Sequence, residues 1–225
     1  MTETTLQQKD VRAYTLLTSM VICGLAGSLI TGTKVIHVGL DFPFSNLVFS
    51  VLTYPIIDCI CEIWGKKTAQ QTLWLALLSQ LFIALLIQAS ILTPPAPFWP
   101  FQHEYATILA TTGYVTAASL IAFSISQFLD ISVYQRLKVF TQGKALWLRS
   151  NASTFLGQAL DSAIFVMLVF HASNNKLSIL YGSILVKIII SILMTPFVYL
   201  IVIGVSRYIG TSSLAFHSDE VYSRA

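Results

Sequence analysis

Six long apolar segments alternate with short polar connections along this chain. The segments run from about Ala13 to Ile30, Pro43 to Ile63, Thr68 to Leu92, Glu104 to Ile131, Arg149 to Phe170 and Ile179 to Ser206. A helix that rises 1.5 Å per residue needs about 20 apolar residues to cross the ~30 Å hydrocarbon core of a bilayer. The pattern therefore predicts an all-α bundle of six transmembrane helices. We treat residues 1–225 as one domain, with a polar leader at 1–12 and a short tail at 208–225.

Glycine and proline mark the ends of these segments and two breaks within them. The turn Gly65-Lys66-Lys67 separates the second span from the third, and four prolines exclude a regular helix at residues 93–103. Pro55 and Pro196 lie inside spans, where proline removes one backbone donor and disturbs the carbonyl four residues earlier. We expect the second and sixth helices to be broken at these positions. Residues 31–41 are expected to form a loop.

The basic residues predict the orientation of the bundle. With a cytoplasmic amino terminus, only two loop residues with a positive charge, Lys34 and Lys176, lie outside, and Lys187 lies within a span. Ten others lie on the cytoplasmic side: Lys9, Arg12, Lys66, Lys67, Arg136, Lys138, Lys144, Arg149, Arg207 and Arg224. Cytoplasmic loops of membrane proteins carry such an excess of Lys and Arg. We therefore expect both termini in the cytoplasm and the protein in the cell inner membrane.

The composition excludes several other classes of protein. Hydrophobic residues make up 55% of the chain, charged residues only 10%, and the mean hydropathy is +0.74. A soluble domain carries about 25% charged residues. The net charge of +3 is small and scattered, whereas nucleic-acid binding needs a clustered basic face. We therefore predict the lipid bilayer as a partner and no nucleic acid.

No motif in the sequence points to a metal, a cofactor or a catalytic centre. Cys59 and Cys61 are two residues apart on a predicted helix and face different sides, so we expect structural thiols. All four histidines fall in loops, at span ends or in the tail, so no buried Ser–His pair is available to a hydrolase. No GxxxxGK[ST] phosphate loop occurs. We expect no cofactor, no metal and no enzymatic activity.

The fifth span carries a polar stripe. Asn151, Thr154, Gln158 and Asp161 fall within an arc of about 80° on a helix with 3.6 residues per turn. An ionisable residue inside a span costs roughly 2.5–3.5 kcal/mol on insertion scales, so such a stripe normally faces the bundle interior or a wet cavity. We favour a stripe that faces a ligand. The alternative is a polar seam that only holds helices together.

Depth in the membrane places the charged residues in two layers. Asp161 lies about 16 Å from the cytoplasmic end of the fifth span, and Lys187 about 12 Å from the outer end of the sixth. Both are near the midplane, where opposite charges would neutralise each other. Toward the cytoplasmic face lie Asp58, Glu62, Asp130 and Arg149. A central site with an inner gate suits alternating access, and the alternative is two structural ion clusters.

Three runs of this sequence resemble one family of transporters. They are YPIIDCICEIWGKK (Tyr54–Lys67), SQFLDISVYQRLK (Ser126–Lys138) and GKALWLRSNASTFLGQALDSAIFVMLVF (Gly143–Phe170). Together with Lys187 and Pro196 they are similar to the signatures of the queuosine-precursor transporters, once labelled vitamin uptake transporters. The resemblance covers most of residues 54–199. It implies import of 7-deazaguanine bases for the queuosine modification of tRNA: the cyano and aminomethyl precursors, or queuine.

Most of the candidate site residues match the motifs of that family. We predict substrate binding by Asn151, Gln158, Asp161, Lys187, Glu62 and Asp58. We predict a gate or ion-pair role for Asp130, Arg149, Ser153 and Gln127. A guanine-like edge offers N–H donors to a carboxylate such as Asp161 or Glu62, and an oxygen to an amide such as Gln158 or Asn151. Its flat face could stack on Tyr54, Phe44 or Phe155.

Three functions are open at this point. The first is a stand-alone secondary carrier for a nucleobase-like small molecule. The second is the substrate-capture subunit of an importer with a separate ATPase module, which the sequence neither predicts nor excludes. The third is an intramembrane enzyme, which lacks a nucleophile–base pair. A homodimer is compatible with each of them.

Overall fold

The computed structural model describes residues 3–32, 34–37, 39–110, 112–142, 145–169 and 176–210. Within these ranges lie α1 (Glu3–Thr31), β1 (Val35–His37), β2 (Asp41–Pro43), α2 (Ser45–Val48), α3 (Tyr54–Leu92), α4 (Gln102–Ala110), α5 (Thr112–Phe140), α6 (Leu146–Val169) and α7 (Lys176–Ile209). The all-α class is confirmed. Most of the predicted tail and part of the turn before the sixth span lie outside the described residues.

Five helical segments are long and apolar enough to cross a membrane. They are Gln7–Thr31, Ser45–Leu92, Ala117–Phe140, Leu146–Val169 and Lys176–Ile209. Large apolar side chains on their outer faces are exposed, among them Leu78, Phe82, Ile192 and Leu200. So much apolar surface requires contact with lipid. The protein is therefore a multi-pass membrane protein.

A short β-hairpin replaces part of the loop that the sequence predicts before the second span. β1 pairs antiparallel with β2, and Ile36 lies opposite Phe42. Gly39 in the turn has φ = +73°, a left-handed conformation that glycine adopts without a steric penalty. Sequence reasoning missed the hairpin because each strand has only three residues.

A π-helical turn at Phe49–Thr53 joins α2 to α3. The backbone N–H of Tyr54 donates to the carbonyl of Phe49, five residues earlier, instead of four. Pro55 follows directly and has no N–H to offer, so an α-helical pattern would leave the Val51 carbonyl without its donor. The break that Pro55 predicts therefore takes the form of a wider turn.

The segment Ser45–Leu92 contains 48 residues, about 72 Å of helix, which is more than twice the thickness of the hydrocarbon core. It bends at Gly65, whose φ of 83° and ψ of 176° are not helical. A residue with a Cβ would be strained there, so this position requires glycine. The bend coincides with the turn expected between the second and third spans. The division into two crossings, and with it the count of six, stays a prediction.

The segment capable of spanning the membrane in this region runs from Ala117 to Phe140, and the fourth span predicted from the sequence runs from Glu104 to Ile131. The two share residues 117–131, which belong to α5. The first residues of the predicted span lie in α4.

The helices pack so that α3, α5, α6 and α7 surround the buried polar residues. α5 lies along α6, while α1 and α5 pack on α3, and α7 packs on α6 and α3. Leu17, Val21 and Leu25 recur every four residues on α1 and contact the apolar face of α3 around Ile57 and Ile60. These apolar contacts hold α1 against α3, and they include none of the buried charged residues.

The predicted orientation can be tested with reporter fusions. Fusions after residues 67 and 142 are expected to read cytoplasmic, and fusions near residues 97 and 174 external, because the basic residues concentrate on one side. Alkaline phosphatase and green fluorescent protein, active on opposite sides of the inner membrane, provide paired readouts at each position. A cytoplasmic signal near residue 174 would contradict the arrangement of six spans.

Candidate functional site

Glu62 on α3 is the centre of a buried ion cluster. Arg149 Nη2 lies 2.7 Å from Glu62 Oε1, and Lys138 Nζ lies 3.2 Å from Glu62 Oε2. The Tyr134 hydroxyl donates to the same Oε2 at 3.0 Å, and Lys138 also donates to the Glu62 backbone carbonyl. Arg149 is fully buried although it is the largest side chain of the core. The cluster ties α3, α5 and α6 together around the Glu62 carboxylate.

Asp58 lies one helical turn before Glu62 and has different partners. Its Oδ2 accepts hydrogen bonds from the hydroxyls of Ser150 and Thr154 on α6. Ser150 and Thr154 are four residues apart and therefore share one face of that helix. Asp58 is thus buried among hydroxyl groups.

Asp130 on α5 is held next to α6 by a close approach of the two helices. Gln127 Nε2, one turn earlier on α5, donates to Asp130 Oδ2 at 3.3 Å. A Cβ built on Gly157 of α6 would lie 3.0 Å from the Asp130 Cβ and 3.3 Å from the Ser126 carbonyl oxygen. Glycine at 157 is what allows this approach. Ser153, one turn before Gly157, is also buried.

Asp161 and Lys187 form the contact that their depths predict. Lys187 Nζ lies 2.6 Å from Asp161 Oδ2 and also donates to the Ser162 hydroxyl at 3.0 Å. The Lys187 side chain is 2% exposed, whereas Asp161 keeps 10% of its side chain exposed. The lysine is therefore buried against Asp161 and Ser162, and the carboxylate retains some accessible surface.

Gln158 lies on α6 about one turn before Asp161, and its amide has no hydrogen-bond partner in the part of the chain that the structure describes. Its side chain is 1% exposed, and neither Nε2 nor Oε1 has a hydrogen-bond partner among the described residues. The Oε1 of Gln127 is in the same condition. A buried polar group without a partner costs about 1–3 kcal/mol. Such groups are the ones that a bound polar molecule can satisfy.

The remaining predicted residues differ in their surroundings. Asn151 donates to the Trp147 carbonyl at 2.8 Å and exchanges hydrogen bonds with the Thr195 hydroxyl of α7. Its amide therefore bridges α6 and α7, at the edge of the polar stripe. Among the three candidate aromatic residues, Phe155 is 44% exposed and Phe44 is partly buried, whereas Tyr54 is fully buried.

Tyr54 occupies the middle of the polar region. It lies within electrostatic reach of Asp58, Asp130 and Asp161, and its hydroxyl is 3.4 Å from the Ser126 Oγ. Its ring meets the ring of Phe123 edge-on, with centroids 6.1 Å apart. Ser126 thus supplies a polar neighbour for the tyrosine.

Sequence reasoning missed several partners of the charged residues. Tyr134 and Lys138 complete the ion cluster, Ser150 donates to Asp58, and Ser162 accepts from Lys187. A signal was present for the first two, because Asp130, Tyr134 and Lys138 recur every four residues on α5 and share a face. No comparable signal distinguished the two serines from other small residues at helix contacts.

Comparisons with known proteins relate this chain to transporters. A family model described as "Putative vitamin uptake transporter" matches residues 43–201. A "Probable queuosine precursor transporter" of Bacillus subtilis (strain 168) is 28% identical over 165 residues, which cover 72% of each chain. The "Queuosine precursor transporter" of Escherichia coli (strain K12) is 23% identical over 134 residues, 58% of each chain.

A third relative, from Haemophilus influenzae, is also named "Probable queuosine precursor transporter" and is 26% identical over 60% of this chain and 56% of its own length. No solved structure gives a significant match. The relatives are named as transporters and not as enzymes, in agreement with the expectation from the sequence. Because the family model covers well over half of the sequence, the chain belongs to the vitamin uptake transporter family.

Proposed function

We propose that this protein imports queuosine precursors across the inner membrane as a stand-alone secondary carrier. The substrates would be 7-deazaguanine bases, namely the cyano and aminomethyl precursors or queuine. The names of the three relatives support this class of substrate. The observation that carries the proposal is the buried Gln158 amide, which has no internal hydrogen-bond partner within the described ranges and lies on the same helix face as Asp161.

The hydrogen-bonding groups of a 7-deazaguanine base fit these side chains. The base presents a carbonyl oxygen, a ring N–H and an exocyclic amine along one edge. The Gln158 amide has one acceptor oxygen and two donor hydrogens, so it can pair with the carbonyl and the ring N–H together. The Asp161 carboxylate can accept from the amine, and the Tyr54 ring offers a flat surface to the base. Lys187 holds the Asp161 carboxylate in position through their 2.6 Å contact.

Glu62 and its cations suit a gate on the cytoplasmic side of this site. Arg149, Lys138 and Tyr134 bind the carboxylate from two other helices, so the contact closes one end of the polar region. Opening would require these bonds to separate while the central pair of Asp161 and Lys187 stays intact. Two layers of this kind are what a carrier with alternating access requires. Glu62 was predicted to bind substrate, and its four bonds favour the gate role instead.

The decisive experiment measures queuosine in tRNA. A bacterial host that can neither make the precursors nor import them is given this gene alone and a low concentration of each base. We expect queuosine to appear in its tRNA. If queuosine appears only after a separate ATPase module is supplied as well, the protein is a capture subunit. If it appears under neither condition, the proposed substrate class is wrong.

Gln158→Leu provides a test at one residue. We expect normal protein level, because the amide has no internal bond to lose in the described structure, and uptake reduced at least tenfold, because two hydrogen bonds to the base are lost. The matched control is Gln80→Leu. This substitution also removes a buried amide, but on α3 and outside the polar site, so uptake is expected to match the parent. Initial uptake of labelled base and membrane-protein level are measured for both variants. Equal uptake by the two variants would remove Gln158 from the site.

A further inference from the structure

The four buried carboxylates of the polar region fall into two classes. Glu62 and Asp161 each bind a cation: Arg149 with Lys138 for the first, and Lys187 for the second. Asp58 and Asp130 are bonded by neutral groups, the hydroxyls of Ser150 and Thr154 for Asp58, and the Gln127 amide and the Ser153 hydroxyl for Asp130. The chemistry of these partners determines what each carboxylate can do.

Ammonium and guanidinium groups can only donate hydrogen bonds, so they fix a carboxylate in its ionised form. A hydroxyl can donate to a carboxylate or accept from a carboxylic acid. An amide has the same freedom, because half a turn about its Cγ–Cδ bond exchanges the N–H donor for the oxygen acceptor. The partners of Asp58 and Asp130 can therefore serve both protonation states. Glu62 and Asp161 differ in that each also has a cationic partner, which can only donate.

The charge balance of the region leaves room for one proton. Besides Tyr54, Tyr134 and the thiols of Cys59 and Cys61, the ionisable groups of this region are Glu62 on the same helix as Asp58, Asp130 and Lys138 on α5, Arg149 and Asp161 on α6, and Lys187 on α7. Four carboxylates thus face three cations among the described residues of this region. Asp58 and Asp130 interact with each other electrostatically, and neither has a cation of its own. Two neighbouring carboxylates in a low-dielectric interior do not both stay charged.

An independent observation lies next to these acids. Gln127 directs its Nε2 at Asp130 while its buried Oε1 has no partner in the described parts of the chain. The Gln158 amide, next to Gly157 where α6 touches Asp130, also has both polar atoms unpartnered. The Gln127 oxygen is therefore an unused acceptor on the same amide that donates to Asp130, and half a turn of that amide would present it to the O–H of a protonated Asp130.

We propose that Asp58 and Asp130 form the coupling-proton site of the carrier, and that one proton enters with each molecule of base. This proposal rests on the proposed function. The proton comes from water on the outer side and binds one carboxylate, which becomes neutral. It leaves to cytoplasmic water when the site opens inward, and the carboxylate becomes ionised again. No covalent bond of the base is changed.

The test uses the purified protein in proteoliposomes. The membrane potential is clamped at zero with valinomycin and equal potassium on both sides, and the outside is made one pH unit more acidic. The labelled cyano precursor is the probe, because it carries no charge of its own. We expect accumulation approaching tenfold, since one pH unit and a tenfold concentration ratio are both about 1.4 kcal/mol. The outer medium should become alkaline by one proton per base taken up.

Two measurements separate this proposal from the proposed function. Counterflow, in which preloaded unlabelled base drives entry of labelled base, reports transport without a gradient. If the parent protein shows no counterflow with any of the three bases, the proposed function fails. If it shows counterflow but neither accumulates base in the pH gradient nor alkalinises the medium, the function stands and the proton proposal is overturned.

Single substitutions assign the site. Asp130→Asn and Asp58→Asn each remove one proton-binding group. The final ratio of internal to external base is therefore expected to fall to about one, however fast or slow the uptake is. The control is Glu104→Gln, which removes an exposed carboxylate at the start of α4 and should accumulate base as the parent does. Accumulation equal to the parent in both variants would overturn the assignment. If a variant fails to fold, the proton-to-base ratio of the parent protein decides.

Discussion

Arg149→Ala is expected to abolish uptake and to lower the amount of folded protein in the membrane. The substitution removes a fully buried guanidinium that lies 2.7 Å from Glu62. Loss of one partner from a buried ion pair commonly costs about 3–5 kcal/mol, because the remaining charge is left in a low-dielectric interior. Tyr134 loses a neighbour as well, since Arg149 Nε donates to its hydroxyl at 3.4 Å. Protein level and initial uptake are the two measurements.

Lys138→Met is the matched comparison for this variant. Lys138 contacts the same carboxylate at 3.2 Å, but its side chain is 13% exposed, so water can replace part of its contribution. We expect a smaller decrease in both protein level and uptake than for Arg149→Ala. If Arg149→Ala matched the parent in both measurements, Glu62 would not need its guanidinium and the gate assignment would be wrong.

Asp161→Asn combined with Lys187→Gln is expected to give a well-expressed protein with little uptake. The two side chains are 2.6 Å apart, and their simultaneous replacement leaves no unpaired charge at this depth. Two amides can still hydrogen-bond to each other and to Ser162. If the pair only neutralised charge, the double variant would therefore recover what each single variant loses, because contacting residues are energetically coupled.

We expect no recovery of uptake, because Asp161 has a second task in the proposed site. An amide cannot accept two hydrogen bonds in the paired geometry that a carboxylate offers to the base. A hydrogen bond to a charged group contributes about 1.5–3 kcal/mol, which corresponds to roughly one to two decades in affinity. Binding of labelled base to the purified double variant, compared with both single variants, measures this loss. Full recovery of uptake in the double variant would exclude Asp161 from substrate binding.

Depth along a helix was enough to predict which charged residues meet. The contact between Asp161 and Lys187 follows from the 1.5 Å rise and the opposite directions of two neighbouring spans. The grouping of Glu62 with Arg149 follows in the same way. A charge inside a membrane must find a counter-charge at its own depth, so few pairings are available.

Rotation about the helix axis was harder to predict than depth. Gln158 and Asn151 both belong to the predicted stripe, yet of the two only Asn151 has a hydrogen-bond partner on α7 among the described residues. Phe155 points away from the core, whereas Tyr54 is enclosed. A sequence with apolar residues on all sides of a helix does not show which face meets lipid. Only the packing of the neighbouring helices determines that.

Local backbone features were predicted by position but not by form. Gly65 and Pro55 were expected to interrupt helices, and the structure has a bend at one and a π-helical turn before the other. A break was also expected at Pro196, but α7 continues through that residue. The hairpin was missed. These features depend on single dihedral angles and on hydrogen bonds between a few residues. The hydrophobic pattern averages over many residues and does not resolve them.

The π-helical turn at Phe49–Thr53 absorbs one residue more than an α-helical turn holds. The helix on either side of such a turn therefore keeps its alignment although the chain carries an extra residue. Deletion of one residue within the turn would restore an ordinary helix and leave Asn46 and the preceding β-hairpin facing about the same way relative to Asp58 and Glu62. The same deletion in the α-helical stretch between Pro55 and Asp58 would turn them by about 100°, which would misalign the two ends of the segment without removing any charged group.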